Sequence, residues 1–344
     1  MLFLGEESNP KFAKTATGIH YWRPELCGGV YHFAKSTLDY GLPVMDVQEA
    51  ADSGLKTMII GVAPPGGKIQ DEWISILTEA LRAGLDLAAG LHTRLNDVPE
   101  LADAARTHGR TIYDVRQPRA QYPVGTGRKR SGMRLLTVGT ECGVGKKYTA
   151  LAIEREMRQR GQNGTFRATG QTGIMIAGQG VCIDAVVADF VSGAAETLSP
   201  DNDSSHWDII EGQGSLFHPS YACVALGLLH GSQPDAIVLC HDASRREVIG
   251  LKGYVVPELA HCIEVNLQLA RLTNPNVTCK GVSINTSCME EDAAADYLAE
   301  TSGKLGLPAV DPVRFGVRPI VDEILNTSEP VARPALAIEN HAES

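Results

Sequence analysis

The sequence holds no run of about 18 apolar residues, so no membrane span is expected. Its start, MLFLGEESNPKF, has no basic region ahead of an apolar core and does not read as a secretory signal. Positive charge is in deficit. Lys and Arg number 31 against 41 Asp and Glu, a net charge of −10. That balance argues against non-specific nucleic-acid binding, yet it permits a local basic pocket for an acidic ligand. None of the eight cysteines (27, 142, 182, 223, 240, 262, 279 and 288) forms a Cys-x-x-Cys pair. Reduced, mostly buried thiols in a cytoplasmic protein are the expectation. A hydrophobic content of 43 % and a charged content of 21 % are ordinary for a globular protein. The length of 344 residues suggests two domains.

What the sequence does contain is centred on residues 135–149, LLTVGTECGVGKKYT. An apolar strand runs into a glycine-rich turn and a lysine. A helix follows, with Ala150, Ile153 and Met157 on one face and Gly161 as its stop. This layout cradles phosphates: backbone N–H groups converge on the anion, helped by the helix N-terminus and the ammonium of Lys146. The expected contacts are Gly139, Thr140, Gly143, Val144, Gly145, Lys146, Lys147 and Thr149. The spacing departs from the common pattern, because five residues instead of four separate Gly139 from Gly145. Lys147 also stands where a magnesium-binding Ser or Thr is usual. Cys142 lies inside the loop, and a packing or incidental role is expected for it.

Upstream, residues 1–121 read as a Rossmann-like α/β unit. Strand-like segments at 43–45, 57–62 and 111–115 alternate with helical patterns at 71–83 and 98–108, which implies a doubly wound parallel sheet. The turn GVAPPGG at 61–67 is a candidate ligand loop, although it carries no Gly-x-Gly-x-x-Gly. Residues 122–133, YPVGTGRKRSGM, read as a linker with the run Arg128-Lys129-Arg130 in solvent. A second α/β domain spans 134–335, with a Pro- and Ala-rich tail over 336–344. Its segment 166–173, FRATGQTG, is rich in donors, with Arg167, Thr169, Gln171 and Thr172 as candidate substrate contacts. The runs 184–190 and 207–211 read as strands ending in Asp189 and Glu211. Two such carboxylates beside a phosphate site commonly hold magnesium, and each can equally cap a turn. Gln213 and Ser215 follow Glu211, and His218 is a candidate base. The histidines at 218, 230 and 241 do not form a recognised zinc pattern, so no metal site is proposed. Asn285 ends a late strand, where it can read an adenine edge or start a turn.

The second half resembles the dethiobiotin-synthetase branch of P-loop proteins. It shares the five-residue gap and a strand ending in Glu-Gly-x-Gly, here Glu211-Gly212-Gln213-Gly214. Nearly the whole chain resembles a bacterial family that joins a Rossmann-like domain to this P-loop domain. The shared runs are GVAPPGG (61–67), ATGQTG (168–173), EGQGSLFHP (211–219) and LLHGSQPD (228–235). Members of that family are D-glutamate N-acetyltransferases that use acetyl-CoA.

The resemblance implies an acetyl-CoA-dependent N-acetylation of D-glutamate or a related D-amino acid, with magnesium optional. Under it, His218, Glu211 or Asp189 accepts the amine proton, and Arg167 or Arg245 pairs with substrate carboxylates. Backbone N–H groups at 212–215 or 170–173 supply the oxyanion site. The implied partners are the amino acid and acetyl-CoA, with neither nucleic acid nor membrane, in a homo-oligomer. An ATP- and magnesium-dependent carboxylate ligase or kinase is the alternative, and a nucleotide-binding regulatory module is a third reading.

Overall fold

Short aliphatic runs buried on both faces make parallel strands. The first half of the chain supplies five: β1 (Leu2–Gly5), β2 (Val30–His32), β3 (Thr57–Ile60), β4 (Asp86–Ala89) and β5 (Ile112–Asp114). They pair in parallel in the order β2-β1-β3-β4-β5. Helices α1 (Lys14–Trp22), α2 (Val47–Asp52), α3 (Asp71–Arg82) and α4 (Pro99–His108) are the crossovers. In α3 the buried residues Trp73, Ile76, Leu77, Ala80 and Leu81 recur at helical spacing. The computed structural model describes residues 1–34, 36–118 and 120–326. The tail at 336–344 and the last residues of the expected second domain lie outside that range.

The second sheet has six strands: β6 (Met133–Gly139), β7 (Gly164–Arg167), β8 (Trp207–Ile210), β9 (Ala236–Asp242), β10 (Thr278–Asn285) and β11 (Ala309–Val310). Their order is β11-β10-β9-β6-β8-β7, all parallel. From β6 the chain first builds β7 and β8 on one side, then returns to build β9 on the other. That reversal is the topological switch point, where open α/β sheets bind ligands beyond the carboxyl ends of their strands. Helices α5 (Lys146–Gln159), α6 (Gln171–Ala177), α7 (Val191–Leu198), α8 (Ala222–Ser232), α9 (Leu259–Ala270), α10 (Glu291–Leu305) and α11 (Arg318–Asn326) cover the two faces. No helix of the described residues is long and apolar enough to cross a membrane.

The two units meet along α1. Thr15 Oγ1 lies 3.0 Å from Thr172 Oγ1, and Arg23 donates to Ile176 O at 3.0 Å. Arg116 pairs with Asp184 at 2.7 Å, and the Tyr148 ring sits 5.5 Å from Tyr21.

Three sequence expectations are corrected. Residues 43–45 form no strand, only an isolated bridge between Val44 and Val30. The run 184–190 folds as two 3₁₀ turns, Ile183–Ala185 and Ala188–Phe190, instead of a strand. Local bonds such as Phe190 N to Val187 O (2.9 Å) satisfy its backbone, and Val187 is 67 % exposed. The basic run is not a solvated linker. Arg130 is 4 % exposed and donates to the carbonyls of Glu196, Ser199, Gly231 and Ser232. Burial lowers its pKa to about 10. Lys129 pairs with Asp235 at 3.0 Å. Only Arg128, whose side chain is 70 % exposed, lies in solvent as expected.

Arg134, 1 % exposed, continues this network with bonds to Ser199 Oγ and to the carbonyls of Arg130, Ser131 and Pro200. Arg134→Met leaves those buried acceptors unpaired. It should cost on the order of 3–5 kcal/mol in denaturant unfolding, whereas Arg128→Met should cost less than about 1 kcal/mol.

Candidate active site

Strand β6 delivers the chain to the phosphate loop at Gly139. Gly143 and Gly145 take φ of +68° and +100°, a left-handed conformation that side chains oppose and that turns successive N–H groups toward one point. Helix α5 begins at once with Lys146. That side chain is 7 % exposed and donates to Glu141 O at 2.9 Å, so it braces the loop from inside. Burial lowers its pKa, against the opposing pull of nearby Cys142, Cys240 and Glu141. The next lysine is desolvated as well: burial brings Lys147 down to about 8, with the charge of Glu211 resisting and that of Lys14 adding to the fall.

Glu211 follows β8, the strand beside β6, and is 3 % exposed. Its Oε2 accepts from the backbone N–H groups of Thr169 (2.9 Å) and Gly170 (3.1 Å). Burial raises its pKa, and the two lysines and these N–H groups resist. Gly212 N donates to Thr137 Oγ1 at 2.9 Å, which locks β8 against β6.

A cavity of about 1000 Å³ opens on this loop. Val144, Lys147, Gln213, Asn285 and Arg314 are among the residues that line it. Lys14 and Thr17 of α1 close it from the first domain. The volume and mixed lining suit a cofactor-sized ligand.

Most of the predicted cofactor contacts converge here: Gly143, Val144, Gly145, Lys146, Lys147, Thr149 and Asn285 all border the cavity. Thr140 is fully buried, and its hydroxyl pairs with His241 Nδ1 at 3.0 Å. Thr149 bonds Ser283 Oγ at 2.7 Å, and Asn285 Nδ2 donates to Asp242 at 3.1 Å. The predicted substrate contacts scatter. Gln213 faces the cavity, but Arg167 is paired with Asp208 at 2.7 Å, and the Thr169 hydroxyl donates to Glu211 O at 2.6 Å. Gln171 packs where a Cβ on Gly90 would stand, and Thr172 meets Thr15 at the domain junction. Ser215 is buried, with its hydroxyl on Gly139 O at 3.0 Å, so it positions the loop. Arg245 is paired with Glu141.

Of the three candidate bases, Asp189 lies on an exposed 3₁₀ turn instead of a sheet edge, so the structure does not make it the partner of Glu211. His218 is 5 % exposed and groups with Glu141 and Cys142, one donor atom of each lying within 4.8 Å of the others. That donor set can bind zinc, but the Arg245 guanidinium on Glu141 and the Lys146 amine oppose a cation there. Burial pushes the Cys142 thiol up, which leaves it a poor nucleophile. Sequence reading missed Lys14, Thr17 and Arg314, because nothing in a helix start or a late loop signals a cavity closed by the other domain. The turn at 61–67 is tied by backbone hydrogen bonds, with His92 N donating to Gly67 O at 2.9 Å.

The lysine electrostatics are measurable. Competitive labelling with acetic anhydride across pH, read by fragment masses around Lys147, should give a midpoint near 8 instead of the ordinary 10.5. Glu211 raises that midpoint, so Glu211→Gln should move it lower still. A midpoint of 10 or above in the parent protein would contradict this electrostatic picture.

Residues 123–321 match the P-loop domain, and residues 32–118 the Rossmann-like domain, of the domain of unknown function DUF1611. A protein of Tritonibacter scottomollicae named D-glutamate N-acetyltransferase is 51 % identical over 94 % of this chain and 97 % of its own length. A protein of the same name from a Pseudoalteromonas species is 45 % identical over 93 % and 97 %. Among solved structures, a DUF1611 protein from Anabaena variabilis superposes with a TM-score of 0.85 at 33 % identity, covering 94 % of this chain and 98 % of that one. With both domains matched in order, and a full-length relative of the same architecture, this chain belongs to the DUF1611 family.

Proposed function

We propose that this chain transfers the acetyl group of acetyl-CoA to the amino nitrogen of D-glutamate. The observation that carries the reading is near-full-length identity of 51 % and 45 % to two proteins named for that activity. The geometry supports it. Coenzyme A carries a pyrophosphate and a 3′-phosphate, and the loop at 139–147 offers converging N–H groups and two ammonium groups. A dicarboxylate substrate needs cations. Lys14 from the first domain and Arg314 from the second both line the cavity and suit its carboxylates. They take the place we expected of Arg167 and Arg245, which carboxylates of the protein already occupy.

In the reaction the substrate nitrogen bonds to the thioester carbonyl carbon, the C–S bond breaks, and the nitrogen loses a proton. Glu211 suits that proton better than the other two candidates. It directly precedes the cavity-lining Gly212 and Gln213 at the carboxyl end of β8, and burial raises its pKa. His218 Nδ1 accepts from Ser220 N at 3.1 Å, so that lone pair is already engaged by the protein's own backbone.

Purified protein with acetyl-CoA and D-glutamate should release free thiol and N-acetyl-D-glutamate in equal amounts. Absence of thiol release with D-glutamate and with a panel of D-amino acids would remove the reading. Lys14→Met should raise KM for D-glutamate by about tenfold with kcat nearly unchanged, the mark of lost uniform binding.

A further inference from the structure

Phosphate loops ordinarily place a Ser or Thr after the lysine, and its hydroxyl holds the magnesium that neutralises the phosphates. The chain has Lys147 there. Magnesium needs oxygen donors in near-octahedral array. The oxygens around this loop and cavity are engaged elsewhere: Asp184 pairs with Arg116 (2.7 Å), and the Asp311 carboxylate accepts from the Thr286 hydroxyl and from the backbone N–H groups of Val313 and Arg314. Thr149 Oγ1 bonds Ser283 Oγ (2.7 Å) and Gly145 O (3.1 Å). The Thr140 hydroxyl is held by His241 (3.0 Å), and Thr137 Oγ1 accepts from Gly212 N (2.9 Å). Glu211 accepts two backbone N–H groups and interacts favourably with the Lys147 ammonium. A divalent ion would meet that ammonium as a like charge. The residues present do not fit magnesium.

The first domain leaves the lysine room. A Cβ on Gly18 of α1 would stand 3.1 Å from Lys147 Nζ, so the bare glycine leaves room for the ammonium where the first domain meets the loop. The side chain borders the cavity together with the loop glycines.

We infer that the Lys147 ammonium, set between Glu211 and helix α1, is a built-in cation that neutralises the ligand's phosphates where a divalent metal would otherwise bind. The inference rests on the reading of the loop as the phosphate site for coenzyme A. It extends that reading to a consequence, metal-independent binding.

Titration calorimetry on the full chain tests it, with coenzyme A and with ADP as probes, each in EDTA and in magnesium. Parent protein should bind coenzyme A with a Kd that differs by less than about twofold between the two conditions. Lys147→Thr should lose about tenfold in EDTA and regain most of it with magnesium, while Lys147→Arg should bind in EDTA like the parent. The parent arm needs no variant to fold. Tightening of parent binding by magnesium of more than about tenfold, or Lys147→Thr binding unchanged in EDTA, would overturn the inference. Parent protein that binds ADP equally in both conditions but does not bind coenzyme A would sink the acetyl-CoA reading and uphold the built-in cation.

Discussion

Two ammonium groups, on Lys146 and Lys147, are desolvated side by side at the first turn of α5, and one buried carboxylate, Glu211, faces them both. Burying like charges together is costly unless anions answer them. The protein's own answer is partial. Lys146 leans on the carbonyl of Glu141, and Glu211 is itself held in place by two backbone N–H groups. The phosphates of the proposed coenzyme would complete the balance.

That electrostatic arrangement is held by close contact between strands. Gly212 N on Thr137 Oγ1 fixes β8 to β6, and Ser215 reaches back to Gly139 O, so the start of the phosphate loop and the turn after Glu211 are tied together. Beneath them the network around Arg130 and Arg134 ties the entry to β6 to the end of α7 and to Asp235 ahead of β9. The first domain adds a wall. Helix α1 brings Lys14 and Thr17 to the cavity and is pinned to α6 through Thr15 and Thr172. The donor-rich run 168–173 therefore serves two ends: its first residues hold Glu211, and its later ones hold the domains together.

Residues whose chemistry depends only on near neighbours in sequence were legible. The loop glycines, Lys146 and the amphipathic face of α5 behave as their spacing requires. The runs at 57–62, 111–115, 135–138 and 207–211 also contain strands as expected, because a strand buried on both faces has no freedom to be polar. The failures share one cause. Asp189 and the basic run 128–130 were read by local pattern, but an apolar stretch with acids at its ends fits a 3₁₀ crossover as well as a strand. A basic stretch, likewise, is solvated only if no carbonyls are waiting for it. Arg130 found four such carbonyls, from residues more than sixty positions away.

The sequence by itself determined the two α/β halves, the phosphate loop at 139–147 and the lysine in place of a hydroxyl at 147, since each is a local pattern with a local physical cause. Only the tertiary structure decided which charged groups are spent on the protein and which face a ligand. Arg167 and Arg245 are neutralised by Asp208 and Glu141, while Lys14 and Arg314 reach the cavity from opposite ends of the chain. Pairing of charges is a matter of distance in space, and a linear sequence does not carry that distance.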